Sequence, residues 1–203
     1  MYNKNNLEIY KVASKDETKV ILGGVYFTGD STVATDSSLL MEVSVPKQNI
    51  EDFPIVGEEL VDVHEPFILE AKAVRDLIKD IPKNSSLPIL ENIVVAKNKD
   101  KGVASLVTTD LSITNVHKVR KIIGEYPKHK QLFPEEEPAI KLRLDPQLLK
   151  KVAELYCKTL EAGSSIEIFV HKSINKPIEF RAFNTETKQE IKALLMQKSG
   201  NNA

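Results

Sequence analysis

Four histidines, one cysteine and two Thr-Asp pairs are the residues of this 203-residue chain best suited to chemistry. His64, His117, His129 and His171 are scattered, without the His-x-x-x-His spacing that brings two ligands to one metal, and one cysteine adds little. Gly23-Gly24 follows an apolar stretch but lacks the phosphate-loop pattern and its lysine. No Gly-x-Ser-x-Gly elbow occurs. Asp36 and Asp110 could act as an acid–base pair, but they close two stretches that read alike. These are VYFTGDSTVATDSSLL (25–40) and IVVAKNKDKGVASLVTTDL (93–111), each an apolar strand, a polar turn and a second strand ending in Thr-Asp. At equivalent places in a repeat, turn capping is the better explanation. Cys157 falls in an amphipathic stretch and reads as a packed thiol, and Glu135, Glu136 and Glu137 as a solvated linker. No catalytic constellation emerges, and repetition points to work by shape and assembly.

The elements that would hold these residues are mostly short strands. Residues 20–27, 32–35 and 39–45 are rich in apolar and β-branched side chains, with Gly29-Asp30 as a turn. A connector with Pro46, Pro54 and Gly57 spans 46–65. Residues 68–69 open a second unit, and 71–81 has helical spacing at Val74, Leu77, Ile78 and Ile81 before Pro82 stops it. Strands follow at 92–96, 104–108 and 114–122, then a second connector with three prolines at 124–138. In a third unit, Ile140, Leu142 and Leu144 alternate with Lys141 and Arg143, as in a half-buried strand. Asp145 and Pro146 open a helix that runs to about Leu160, and Gly163 fits its end. Three alternating stretches complete the unit, at 166–170, 178–182 and 191–196. The second and third units thus share one order: strand, helix, strands. The first has the strands and a weak helix candidate at 7–14, and the tail from 198 reads as frayed.

With 41% apolar and 28% charged residues the chain can bury a core, and its net charge of −1 selects no partner. A nucleic-acid binder of this balance would have to gather its positive charge on one face. A single cysteine excludes an internal disulfide, and no apolar run approaches the ~18 residues of a membrane span. The N-terminal stretch has no secretory pattern. These features lead to the expectation of a cytoplasmic protein without membrane contact.

Particular motifs resemble the bacterial DNA sliding clamp, the DNA polymerase III beta-subunit superfamily. ILGGVYF (21–27) with STVATDSSLL (31–40) is similar to the clamp's middle domain, and VRKIIGEYPKHKQLFP (119–134) to the segment closing it. INKPIEFRAF (174–183) with IKALLMQ (191–197) resembles the family's C-terminal ending. LPILENIVVA (87–96) with LVTTDLSI (106–113) resembles the opening of its first domain. The resemblance implies an α+β fold, a DNA-clamp-like repeat of strand-helix-strands half-domains with antiparallel sheets. One alignment makes 1–135 a middle domain with an abbreviated first half, and 136–203 a half-domain from the end of the last domain. The other makes the second and third units one complete domain preceded by a remnant. A clamp subunit has six half-domains and this chain about three, so a ring would need more copies or would not close.

The resemblance also implies sites. In the family, partner proteins dock a short peptide in an apolar pocket. The matching positions are Leu22, Thr35, Leu40, Pro127, Leu132, Leu194 and Met196. Gln197 stands where the family has proline, and Ser37-Ser38-Leu39 where it has Gly-His-Arg, so the polar rim differs. Taken singly, each position is an ordinary core residue. Helices of the family present cations to phosphates without reading bases. Here Lys72, Arg75, Lys79 and Lys83 form one stripe, and Lys150, Lys151 and Lys158 another that Glu154 interrupts. A normal solvated helix face looks the same. The function implied is a non-enzymatic processivity factor without a cofactor or metal. It would bind double-stranded DNA without sequence preference and DNA polymerase or other clamp-binding proteins, as a possible homo-oligomer. The alternative is a monomeric peptide-binding adaptor or competitor that does not encircle DNA.

Overall fold

A computed structural model describes residues 1–62, 64–83, 86–171 and 176–198. Ile174 and Asn175 of the C-terminal motif, and the tail beyond Lys198, lie outside them. The chain divides into two compact units, Met1–Phe133 and Pro134–Ala203.

The first unit contains the strand–helix–strands order twice. The first half runs β1 (Tyr2–Asn3), α1 (Lys4–Glu8), β2 (Gly24–Phe27), β3 (Ser31–Thr35) and β4 (Leu40–Ser44). The second runs β5 (Phe67–Glu70), α2 (Ala71–Leu77), β6 (Asn92–Ala96), β7 (Val103–Thr109) and β8 (Thr114–Ile122). All eight strands form one antiparallel sheet in the order β1-β6-β7-β8-β5-β2-β3-β4. Each half therefore lends its first strand to the other: β1 pairs with β6, and β5 with β2. Both loans use one register. The residue just before the helix faces the first residue of the borrowing strand, Asn3 opposite Asn92 and Glu70 opposite Gly24. Gly24 is required there, because a Cβ would lie 2.8 Å from the Leu69 carbonyl and 2.5 Å from Ile68.

The core lies between this sheet and the two helices and draws on both halves. Leu7 and Ile9 meet Val74 and Leu77 over Val25, Phe27, Leu69, Ile93 and Leu106. The first helix is short and starts earlier than expected, continuing as a 3-10 turn through Val12. Its N-cap is reciprocal: the Asn3 side chain accepts from the Asn6 amide, and the Asn6 side chain from that of Asn3. The Asn6 side-chain nitrogen also donates to the Val43 and Ser44 carbonyls, tying the helix to edge strand β4. The strand expected at 20–27 begins only at Gly24, because residues 17–23 form turns.

Tyr2 carries a pH-sensitive tie. The His64 Nδ1 donates to the Glu65 carbonyl at 2.9 Å, which leaves Nε2 to accept from the Tyr2 hydroxyl at 2.6 Å. Burial holds the His64 pKa below its ordinary value. With the folded value depressed, its stabilising contribution is full above the unfolded pKa of about 6.5 and is lost as pH falls from there through the lower folded value. The thermal midpoint should drop between neutral pH and about pH 5.5, at no more than ~1.4 kcal/mol per pH unit. His64→Gln should flatten that part of the profile in a melting series, and an unchanged slope would contradict the assignment.

The second unit has one helix and one sheet. Helix α3 (Pro146–Thr159) is capped by Asp145, which accepts from the Gln147 amide at 2.8 Å. Strands β9 (Glu167–Phe169), β10 (Ile178–Asn184) and β11 (Gln189–Leu195) form a 3-stranded antiparallel sheet in the order β11-β10-β9. Tyr156, Ile178, Phe180, Ala182 and Leu195 make its core, flanked by Leu142 and Leu144. Residues 140–144 do not form the expected strand. Among the described residues their one backbone hydrogen bond joins the Lys198 amide, three residues past β11, to the Arg143 carbonyl. Cys157 is exposed rather than packed, since it points away from the Val152–Tyr156 side of α3.

Candidate functional site

The Thr-Asp repeat builds two matching hairpin turns. The Asp36 carboxylate accepts from the amides of Ser38 and Leu39, and that of Asp110 from those of Ser112 and Ile113. Thr35 and Thr109 each accept from the amide two residues on. Ser37 and Leu111 both take left-handed backbone angles, φ 87° and 76°. These amides hold both carboxylates below their ordinary pKa. The aspartates are turn caps.

The first of these hairpins borders an apolar patch on the sheet face opposite the helices. Val33, Ile68 and Tyr126 are buried there, with Ile21, Tyr26, Leu40 and Ile122 packed against them. Tyr26 and Tyr126 stack with ring centres 4.7 Å apart. His129 meets both rings edge-on and is buried, its Nε2 3.8 Å from the Glu42 carboxylate. Burial pushes the Tyr126 phenol up to about 12. Beside the patch runs a groove of about 870 Å³, whose apolar lining includes Tyr26, Ile68, Ile122, Ile123, Tyr126 and Pro127. Lys101, Lys121, Lys128 and Lys130 outnumber Asp30 and Glu125 along it and leave the rim net basic. Ile123 is 94% exposed.

The predicted pocket residues divide between the units. Thr35 and Leu40 face each other across β3 and β4, and Leu40 packs on the patch. Pro127 lines the groove next to Tyr126. Leu132 is exposed at the end of a 3-10 turn. Leu22 is half-buried in the turn before β2, and its neighbour Ile21 packs on the patch instead. Leu194 and Met196 lie at the end of the second unit, 67% and 61% exposed. Sequence reasoning missed Tyr26, Tyr126 and His129. The available signal was the Tyr-Pro motif, of which only the proline was singled out.

The cationic stripes are solvent-facing. Lys72, Arg75, Lys79 and Lys83 are exposed on and after α2, as are Lys150, Lys151 and Lys158 on α3. Asp76 pairs with Arg75 at 3.3 Å and with Lys79 at 2.7 Å, and Glu154 with Lys150 at 3.7 Å. Among the described residues no cluster of His, Cys, Asp and Glu could hold a metal ion, and no helix is long and apolar enough to cross a membrane.

No family model and no curated protein matches the sequence. Solved structures do match in fold. The Helicobacter pylori beta clamp, in complex with carprofen, superposes on 98% of this chain and 47% of its own with a TM-score of 0.67 at 17% identity. DNA polymerase III subunit beta of Borrelia burgdorferi covers 97% of this chain and 47% of its own, with a TM-score of 0.63 at 15% identity. The Pseudomonas aeruginosa subunit gives 97%, 50%, 0.61 and 14%. This chain therefore has the α+β fold of the bacterial DNA sliding clamp, over about half the length of the clamp subunits it matches.

Proposed function

We propose that the protein is a non-enzymatic, sliding-clamp-like factor that keeps a DNA polymerase or another DNA-processing enzyme on double-stranded DNA. The observation that carries this reading is the clamp fold along nearly the whole chain, with an apolar groove on the outer sheet face. Tethering acts by raising the local concentration of the enzyme on DNA, so neither contact needs to be tight. The groove would take the apolar residues of a short partner peptide, and its lysine rim suits an acidic residue beside them. In the second unit, the exposed Leu194 and Met196 would offer an apolar surface of their own, with methionine tolerating several peptides. Exposed cations on α2 and α3 would touch phosphates without reading sequence. The protein would act in the cytoplasm.

Panning a displayed library of short peptides on the full chain tests the groove. Enriched peptides should bind the wild type and lose about tenfold or more in affinity to Ile123→Asp, as expected for a contact at the centre of an apolar site. Peptides that bind the variant equally well would overturn it. A second reading, a monomeric adaptor that does not encircle DNA, draws support from Asp76 and Glu154, which offset part of the helix charge. It predicts peptide binding without salt-dependent DNA association.

A further inference from the structure

The first unit shows what a half needs from its mate: a strand laid on the first strand after its helix, and a second helix sharing the core. Among the described residues the second unit is a single half with neither. Among the described residues β9 has one strand neighbour, β10, and its other edge is open. Residues 140–144 precede α3 as β1 precedes α1 and β5 precedes α2. They alternate like a strand, and among the described residues their one backbone hydrogen bond runs from the Lys198 amide, just past β11, to the Arg143 carbonyl. In the first unit β5 likewise lies beside β8, the last strand of its own half, and gives its other side to the opposite half.

Burial matches this vacancy. Ile168 pairs with Phe180 and so shares the helix-covered face of the sheet, yet it is 59% exposed. Its counterparts one residue into β2 and β6, Val25 and Ile93, are both 0% exposed. On α3, Leu148 and Leu155 lie one side of the Val152–Tyr156 stripe, 44% and 62% exposed. In the first unit each helix instead joins a core shared with the other half.

We infer that the second unit pairs with the second unit of another copy of this chain, residues 140–144 of each forming a strand against β9 of the other. The register of the first unit then sets the contacts. Asp145 falls opposite Glu167, Leu144 opposite Ile168, Arg143 opposite Phe169 and Leu142 opposite Val170. Every apolar pair falls on the helix side, where Leu142 and Leu144 already pack. Arg143 would meet an aromatic face, and Lys198, 3.0 Å from Asp145, offsets the one like-charged pair. The interface is isologous, the same patch used twice, and leads to a closed two-fold dimer. The inference is independent of the proposed function, because it concerns assembly and not DNA.

Two measurements on the full chain test it. Sedimentation equilibrium over a range of concentrations should show a reversible dimer. Ile168→Lys and Leu155→Lys should each weaken it by about tenfold or more while leaving the far-ultraviolet spectrum unchanged, since both side chains are exposed in the single chain. In a Cys157→Ser background, the pair Leu144→Cys with Ile168→Cys should give a disulfide-linked dimer on mild oxidation, and neither single variant should. Within one chain these positions are separated by about three strand spacings, ~14 Å, beyond disulfide reach. A monomer at all concentrations would overturn the inference. So would a dimer that ignores Ile168→Lys and does not cross-link.

Discussion

Replacing Tyr156 with alanine is expected to unfold the second unit and leave the first folded. The tyrosine is 2% exposed and sits at the centre of a core of five buried residues. Its hydroxyl donates to the Phe180 carbonyl at 2.9 Å and reaches the Ile191 carbonyl at 3.3 Å, so one side chain joins α3 to both β10 and β11. Truncating a buried aromatic costs ~3–5 kcal/mol, and the two carbonyls lose a partner besides. A helix on three strands has little core with which to absorb that loss. Two thermal transitions are expected for the wild type, and the variant should keep only the one belonging to the first unit. Tyr156→Phe keeps the ring and should cost only ~1–2 kcal/mol. A Tyr156→Ala protein with both transitions intact would contradict this view of the core.

Phe27→Ala is expected to have an effect of similar size in the first unit, with a different signature. Phe27 is fully buried, edge-on to Tyr2 at 4.9 Å and stacked on Phe67 at 5.0 Å. Tyr2 and Phe67 come from β1 and β5, the two strands that the halves exchange. Loss of the ring should cost ~3–5 kcal/mol in denaturant unfolding, including ~0.5–1.5 kcal/mol for each aromatic pair. Hydrogen exchange should quicken first along the β1–β6 and β2–β5 pairings, while β10 and β11 keep their protection. Leu194→Ala, at an exposed position, should stay within about 0.5 kcal/mol of wild type. Uniform loss of protection across both units would contradict the division drawn here.

Local structure was readable wherever one residue pattern dominates. The run IVVA is apolar at every position and gives β6, and β8 falls at 114–122 with the expected bounds. The α2 stripe gives a helix, although its last turn tightens to 3-10 before Pro82. The α+β class and the clamp-like sheets followed from the repeat together with the quoted motifs. Pairing was not readable. Tyr2 and Ile93 are neighbours in the sheet but 91 positions apart in the sequence, and no local period marks an exchanged strand. α1 was weakly legible because its stabilising contacts run from the Asn6 side chain to β4 rather than along a helical stripe. The strand expected at 140–144 had the right alternation, but a strand also needs a neighbour, and among the described residues only one backbone bond reaches it. The outer-face patch escaped notice because Tyr26, Tyr126 and His129 are separate in sequence and meet only once β2 and the 123–132 segment fold together.

We propose that the protein tethers other enzymes by surrounding DNA, which needs a contact between copies in addition to the pairing of second units. The most direct test lets the protein assemble with nicked circular plasmid. The mixture is then passed through gel filtration at a salt concentration that removes ordinary phosphate contacts. The account predicts that protein travels with the circle and is lost from it after a single cut linearises the DNA. Equal association with circular and linear DNA, or none with either, would contradict it and favour the peptide-binding adaptor.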